Sequence, residues 1–350
     1  MATLTQTAYY TRKTIQISTV TLVGFIVLRV SLTTAADIWR KFRPPAPPPP
    51  TVAFGKLPKI KFPEQEGLPE LSFRLETIEG GLPTLPDIGK VYFMPQKGPG
   101  LLDLDRAKLR AKSMGFTGQT ETISDILYRW RSRTEPTTTL EININTANFQ
   151  LRYSYEEDPT LLTDKTFPPT DQLANEARKF LDSNEYLSDD LATGRAEFAY
   201  FRFFSPNLVP AVSLSEADFV RVNLFRVDLD ELRILPPNPK DSLISFLFSG
   251  SREGWKRFVE VKYTYFPIDL ETFATYPLKS LDTVWQELQG EEGFIAHLGE
   301  NQDGKITVRR VYLAYYNFGE EQSFLQPIYV FEGDQNFFGY VSAVSPEWTE

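Results

Sequence analysis

The side chains that most often carry out catalysis or bind metals are scarce in this 350-residue chain. It has no cysteine and a single histidine, His297. Thiolate nucleophiles, disulfides and cysteine-based zinc sites are therefore excluded. A general base needs an orienting partner and a substrate pocket, and His297 stands in a polar connection without a partner motif. No glycine-rich phosphate loop, G-x-S-x-G or H-E-x-x-H pattern occurs. The sequence favours a protein that is not an enzyme and uses no cofactor.

Acidic residues cluster at four places: 103–105, 189–190, 228–230 and 301–304. Calcium needs six to eight oxygen ligands from a shaped loop, and none of these places continues into the full twelve-residue ligand pattern. The first cluster is better interpreted as charges at the start of a helix, where the helix dipole favours them. Asp303-Gly304 in the last cluster is typical of a turn that enters a strand. We therefore predict no metal site.

Aromatic side chains near the C-terminus have the greatest potential for binding, because aromatics are enriched in interface hot spots. Alternation along a strand places Tyr315 and Tyr316 on opposite faces of a sheet. Two interpretations stay open: the aromatics pack against the helix that carries Trp285, or some of them form a strip that faces a partner. The candidate interaction residues are Tyr312, Tyr315, Tyr316, Tyr329, Phe331, Phe338 and Tyr340.

The elements that must position these residues follow from hydrophobic periodicity. Alternating apolar residues predict strands at 140–144, 149–155 and 259–265. Apolar residues at helical spacing predict helices near 104–114, 173–181 and 278–288. A high aromatic content of 14% also favours β-sheet. The predicted fold class is α+β, with single helices packed on antiparallel β-meanders, preceded by one transmembrane helix.

An internal repeat supports this plan. Thr166-Phe167-Pro168 and Thr275-Tyr276-Pro277 open the second and last predicted helices, 109 residues apart. Gly194 and Gly304 then precede long aromatic strands, and a further strand follows each of these. Both copies therefore read helix, strand, strand, and the helix near 103–114 opens a degenerate earlier copy.

Residues 15–34 contain eleven Ile, Val, Leu or Phe residues, which suits a membrane span. Arg29 lies close enough to the end of this stretch for its side chain to reach the interface. Phe25, Arg29 and Trp39 are the predicted anchoring residues. A cleaved signal peptide with Ala36 at the cleavage position is the alternative. Basic residues flank both ends, and we favour a cytoplasmic N-terminus because a large C-terminal body translocates largely regardless of loop charge.

The charge distribution separates the two ends of the chain. Residues 1–50 carry a net charge of +5 and residues 51–350 a net charge of −14. An acidic body is a poor partner for phosphate backbones, so nucleic acid is not an expected partner. The proline run at 44–50 favours a stiff polyproline II spacer, with a PxxP ligand motif as the alternative.

A family resemblance covers residues 276–344. The segments YPLKSLDTVWQELQG, KITVRRVYLAYYNF, FLQPIYVFEG and GYVSAV resemble the C-terminal module of YycH/YycI-type regulatory proteins and, more loosely, PepSY-like domains. The preceding strand at 257–267 and the copy at 166–226 fit the same tandem plan. The resemblance implies a single-pass protein whose outer domains contact another membrane protein, in that family a sensor histidine kinase. It implies no catalytic residues.

These observations predict a membrane-anchored, extracytoplasmic binding or regulatory module that acts on a membrane or envelope protein, with an undetermined oligomeric state. A structural envelope or wall-polymer-binding protein is one alternative, and a hydrolase with two carboxylates facing across an apolar cleft is another. The predicted segments are a cytoplasmic N-terminus (1–14), the transmembrane helix (15–38), a linker (39–69), an N-terminal α+β unit (70–160) and two PepSY-like units (161–240 and 241–350).

Overall fold

The computed structural model describes residues 4–42, 48–133, 137–163, 165–290 and 292–350. It divides into two compact units, Met1–Pro49 and Pro50–Glu350. The first contains one long helix and the second contains all of the described strands. The mixed helix and sheet content confirms the predicted α+β class.

Helix α1 of the first unit extends over Leu4–Phe42. Its stretch Thr11–Ala35 is long and apolar enough to cross a membrane, since 25 residues rise about 37 Å and a hydrocarbon core is about 30 Å thick. The side chains of Phe25 and Arg29 are exposed on this stretch. Trp39 lies on the same helix, but its side chain is outside the described residues. The predicted span therefore lies within one continuous helix.

The second unit alternates strands with a few helices. Its strands are β1 (Ser72–Leu75), β2 (Ile88–Phe93), β3 (Thr120–Thr122), β4 (Leu127–Arg131), β5 (Thr138–Asn143), β6 (Phe149–Tyr153), β7 (Ala196–Phe204), β8 (Asn207–Pro210), β9 (Phe219–Leu224), β10 (Ile234–Leu235), β11 (Ile244–Ser249), β12 (Phe258–Tyr263), β13 (Asp269–Pro277), β14 (Phe294–His297), β15 (Lys305–Tyr316), β16 (Phe324–Gly333) and β17 (Phe338–Ser342). Its helices are α2 (Asp103–Ser113), α3 (Thr170–Ser183), α4 (Asp189–Ala192), α5 (Gly254–Arg257) and α6 (Leu281–Gln289).

A nine-stranded antiparallel sheet has the order β3-β4-β5-β6-β12-β11-β9-β7-β8. Helices α2 and α3 pack on it through alanines and leucines at helical spacing, including Ala107, Leu173, Ala177 and Leu181, which are all buried. The predicted strands at 140–144, 149–155 and 259–265 are confirmed as β5, β6 and β12. Alternating burial in β5 and β6 shows why their periodicity was visible in the sequence.

The eight-stranded sheet has the path β1-β15-β16-β17-β14, with β10 beside β15 and β2 beside β13 and β16. Most of its pairs are antiparallel, while β1 and β10 run parallel to β15. Helix α6 covers one face through Val284 and Leu288. Ile60 and Phe62, which come from the segment before β1, pack on a second aromatic cluster of this sheet. The sheet is thus covered on both sides.

Both copies of the predicted repeat contain a helix followed by antiparallel strands: α3, β7 and β9 in the first, α6, β15 and β16 in the second. The copies differ from the predicted order of helix, strand, strand: β8 lies between β7 and β9, and β14 lies between α6 and β15. The start of the last helix differs too. Tyr276 and Pro277 belong to β13, and α6 begins at Leu281. Ser280 precedes the helix, and its side chain accepts a hydrogen bond from Thr283 N. The capping serine, rather than the proline, begins this helix.

The sheets cross the predicted unit boundaries. Strands β6 and β12 pair across residues 160 and 240, and β9 pairs with β11 across residue 240. Residues 51–69, predicted as linker, also belong to the folded unit, and we call them the strap. Leu57 of the strap is fully buried, and its N–H donates to Trp348 O at 2.8 Å. Such long-range pairing leaves no local signal in the sequence.

Candidate binding cleft

A cleft of about 540 Å³ opens on the eight-stranded sheet. Three parts of the chain line it: residues 85–90 before and within β2, the hairpin 228–233 that leads into β10, and residues 310–315 of β15 together with Pro327. The lining combines apolar side chains with both signs of charge. A concave site with an apolar lining and a few converging polar groups is the usual form of a binding site.

The hairpin presents a tight two-residue turn to the cleft. Leu229 and Leu232 exchange backbone hydrogen bonds, both 2.9 Å long. Between them, Asp230 and Glu231 have φ values of 52° and 66°. Two left-handed residues in succession are typical of a type I′ turn, which usually contains asparagine or glycine. Left-handed non-glycine residues cost free energy, so tertiary contacts must hold this turn in place.

Asp230 makes those contacts. Its carboxylate accepts hydrogen bonds from the Tyr92 hydroxyl at 2.5 Å and from Lys90 Nζ at 3.0 Å. The Tyr92 ring contacts the Tyr315 ring at 5.8 Å, edge to face, and Lys90 Nζ lies 4.8 Å from the centre of the Phe273 ring. The hairpin is therefore bound to β2 and β15 by one charge-assisted cluster.

The ionisation of this cluster is fixed near neutral pH. Burial opposes ionisation of Asp230, but hydrogen bonds from Tyr92 and Lys90 outweigh it and lower the carboxyl pKa. The hydrogen bond that Lys90 donates to Asp230 raises the pKa of Lys90. Burial raises the pKa of Tyr92 and that of Tyr315. The cluster therefore holds a carboxylate, an ammonium group and two neutral phenols over the physiological range.

Two of the seven predicted interaction residues, Tyr312 and Tyr315, line the cleft. Tyr312 is half-buried, with the Arg310 guanidinium 5.3 Å from its ring centre, and burial raises its pKa to about 12. Tyr315 and Tyr316 belong to separate packed clusters, which agrees with the expected alternation.

The other five predicted interaction residues lie inside the protein. Tyr329 and Phe331 are buried under α6, where Trp285 contacts the Phe331 ring at 5.8 Å. On another cluster, Tyr316, Phe338 and Tyr340 are buried with the strap residue Phe62. These side chains therefore form the interior of the sheet and do not make an outer strip, because helix α6 and the strap cover them.

The residues of the predicted acidic clusters and His297 make contacts with nearby parts of the chain. Asp103 is buried at the start of α2, accepts from Gly100 N at 2.6 Å and pairs with Lys97. Gly304 turns the chain into β15 with φ 72°, as predicted. His297 ends β14, where its Nδ1 accepts from Gly299 N at 3.0 Å. Burial, and then the charge of Lys240, lower its pKa.

Sequence reasoning missed Lys90, Tyr92 and the special role of Asp230. The 228–230 cluster was visible, but nothing in it indicated a left-handed turn. Lys90 and Tyr92 lie on one face of β2, about 140 residues before their partner. Among the described residues, no group of three His, Asp or Glu side chains could hold a metal ion.

No family model matches the chain, and no curated protein matches its sequence. Among solved structures, the chain is similar to an uncharacterised protein from Eubacterium rectale, with 11% identity over 74% of this chain and 84% of that one and a TM-score of 0.40. It is also similar to the YpeB C-terminal domain from Bacillus megaterium, with 12% identity over 72% of this chain and 95% of that one and a TM-score of 0.34.

Proposed function

We propose that this chain is a membrane-anchored, extracytoplasmic binding module that acts through protein–protein contact, and that the cleft takes a segment of its partner. The apolar helix α1 supports the anchor. The observation that carries the proposal is the cleft of about 540 Å³ next to Asp230. Its lining offers apolar surface and charges held in place by the Asp230 cluster, which suits recognition of a polypeptide.

The same cleft supports a non-catalytic role. A general acid or base works best when its pKa lies near the working pH, and the pKa values of Asp230, Lys90 and Tyr92 are all moved away from neutrality. The hydrolase alternative needs two carboxylates facing each other across a cleft. The carboxylates that line this cleft, those of Asp228, Asp230 and Glu231, all come from one hairpin.

Site-specific photo-crosslinking in intact membranes tests the proposal. A benzophenone amino acid replaces Pro86, an exposed residue of the cleft lining. The matched control carries it at Val212, which is 92% exposed and does not line the cleft. We expect a discrete crosslinked membrane or envelope protein from position 86 alone, with a reduced yield when Arg310→Glu is added. Equal products from both positions, or none from position 86, would contradict the proposal.

A further inference from the structure

The strap lies over β14, an edge strand of the eight-stranded sheet. Within the described part of the chain, β14 pairs with β17 on one side and has no strand on the other. On its other side, Ile295 N donates to Gln65 Oε1 at 2.9 Å, and Gln65 Nε2 donates to Ile295 O at 2.5 Å. One side-chain amide thus takes the place that a peptide group of a neighbouring strand would occupy. Unpaired backbone N–H and C=O groups at a sheet edge readily pair with another strand. The Gln65 amide therefore blocks a position at which a strand could be added.

Beside this amide, Phe62 fills an aromatic pocket of the sheet. Its ring stacks on Phe294 with the centres 5.1 Å apart and the planes at 4°, and it contacts Tyr316 at 5.0 Å. Phe62 and Gln65 together reproduce the two contacts of strand addition, since one satisfies backbone groups of the edge strand and the other fills a side-chain pocket.

Residues 60–69 of the strap are held by side chains and not by backbone pairing. Among the described residues, no backbone–backbone hydrogen bond joins residues 60–69 to the sheet. Cavities of about 510 Å³ and 190 Å³ lie along it. The smaller cavity is lined by Tyr316 and Gln326, whose buried Oη and Oε1 atoms have no partner within the described part of the chain. Segments with little backbone pairing to the rest of the fold open locally at low cost, and buried polar atoms without a partner call for an explanation.

We propose that residues 60–66 of the strap occupy a strand-addition site, and that an extended segment of a partner protein displaces them. The incoming segment pairs its backbone with the free edge of β14 and places an aromatic side chain where Phe62 now lies. The strap itself shows that this chemistry fits, because its own aromatic ring and amide fill the same positions. This surface is separate from the cleft, and the proposal goes beyond the function proposed for the cleft.

A synthetic peptide of residues 58–68, PKIKFPEQEGL, serves as the probe for full-length protein in detergent. The double variant Phe62→Ala/Gln65→Ala weakens the binding of the chain's own strap to the site. The matched control is Glu64→Ala/Glu66→Ala, which changes exposed strap residues. We expect the peptide to bind the first variant at least about tenfold more tightly than it binds the wild type or the control. Replacing the peptide's phenylalanine by alanine should abolish this gain.

Absence of peptide binding to the Phe62→Ala/Gln65→Ala variant, with an unchanged near-ultraviolet circular dichroism spectrum, would overturn the proposal. A doubled mass without peptide would also overturn it, since a second copy would then be the occupant. Hydrogen exchange of the wild type gives an independent measurement. The Ile295 amide should exchange at least about tenfold faster than that of Val330, which lies in the centre of the sheet. Equal rates would show that the strap does not open.

Discussion

The Tyr92 hydroxyl donates a 2.5 Å hydrogen bond to Oδ2 of Asp230, a residue 138 positions later in the chain. Asp230 therefore joins the left-handed hairpin turn to β2 and shapes one side of the cleft. This contact and the hydrogen bond from Lys90 hold the turn in place against the cost of its two positive φ values.

Asp230→Asn should destabilise the protein by about 1 kcal/mol. The substitution removes the charge that Tyr92 and Lys90 share, and hydrogen bonds to charged groups contribute about 1.5–3 kcal/mol before solvent screening. The Asp230 side chain is 36% exposed, which justifies the lower figure. Asp228→Asn is the control, because Asp228 is 47% exposed and lies 3.8 Å from Arg195. Urea unfolding measures both, and an equal loss in the control would contradict the assignment.

Asp158 should contribute stability that depends on pH. Burial opposes its ionisation, but hydrogen bonds from Thr160, Tyr153 and Lys256 outweigh this and lower its pKa. Because the carboxyl pKa is lower in the folded state than its unfolded value of about 3.9, the contribution is present above pH 4 and is lost as pH falls through the folded pKa.

The free energy difference between Asp158→Asn and the wild type should therefore be largest near pH 7 and shrink steadily below about pH 4. Chemical denaturation at a series of pH values measures it. A difference that stays constant down to pH 2 would show that the Asp158 contacts do not depend on its charge.

Gly304→Ala should destabilise the chain by at least about 1–3 kcal/mol, the cost of a left-handed backbone at a residue with a Cβ. Its φ is 72°, and an added Cβ would lie 2.1 Å from Glu70 O, a backbone atom with little freedom to move. Gly98→Ala is the matched control, since nothing lies within 4 Å of its added Cβ. Thermal unfolding should separate the two variants by several degrees, and equal melting temperatures would contradict the prediction.

Arg257→Lys should cost about 2 kcal/mol although the positive charge is kept. The buried guanidinium binds both Glu176 oxygens, at 3.0 and 2.9 Å, and Ser249 O at 3.0 Å. An ammonium group cannot make this planar set of contacts. Arg252→Lys, at an exposed position, should change stability by less than about 0.5 kcal/mol. Urea unfolding of the two variants tests the difference.

The proposed topology predicts which engineered cysteines react from outside the cell. The natural chain has no cysteine, so a single substitution gives an unambiguous signal. Val212→Cys, at a position that is 92% exposed, should react with a membrane-impermeant maleimide in intact cells, whereas Ala8→Cys should react only after lysis. The reversed pattern would place residues 50–350 in the cytoplasm.

The sequence by itself determined those helices and strands whose apolar residues recur at a single helical or strand period. The apolar run predicted α1, the spacing of Leu173, Ala177 and Leu181 predicted α3, and the alternation at 140–144 predicted β5. Each depends on burial of one face of a single element, so the pattern is contained in about ten consecutive residues.

Only the tertiary structure decided which strands share a sheet and which side chains form the cleft. The pairing of β6 with β12 joins residues more than 100 positions apart, and the strap reaches Ile295 across 230 positions. Periodicity is the same for a strand in either sheet and for an aromatic residue on a covered or an open face. Position in the assembled core therefore decided that Tyr329 is buried under α6 and Tyr315 is buried beside Asp230, while Tyr312 lines the cleft and stays half-buried.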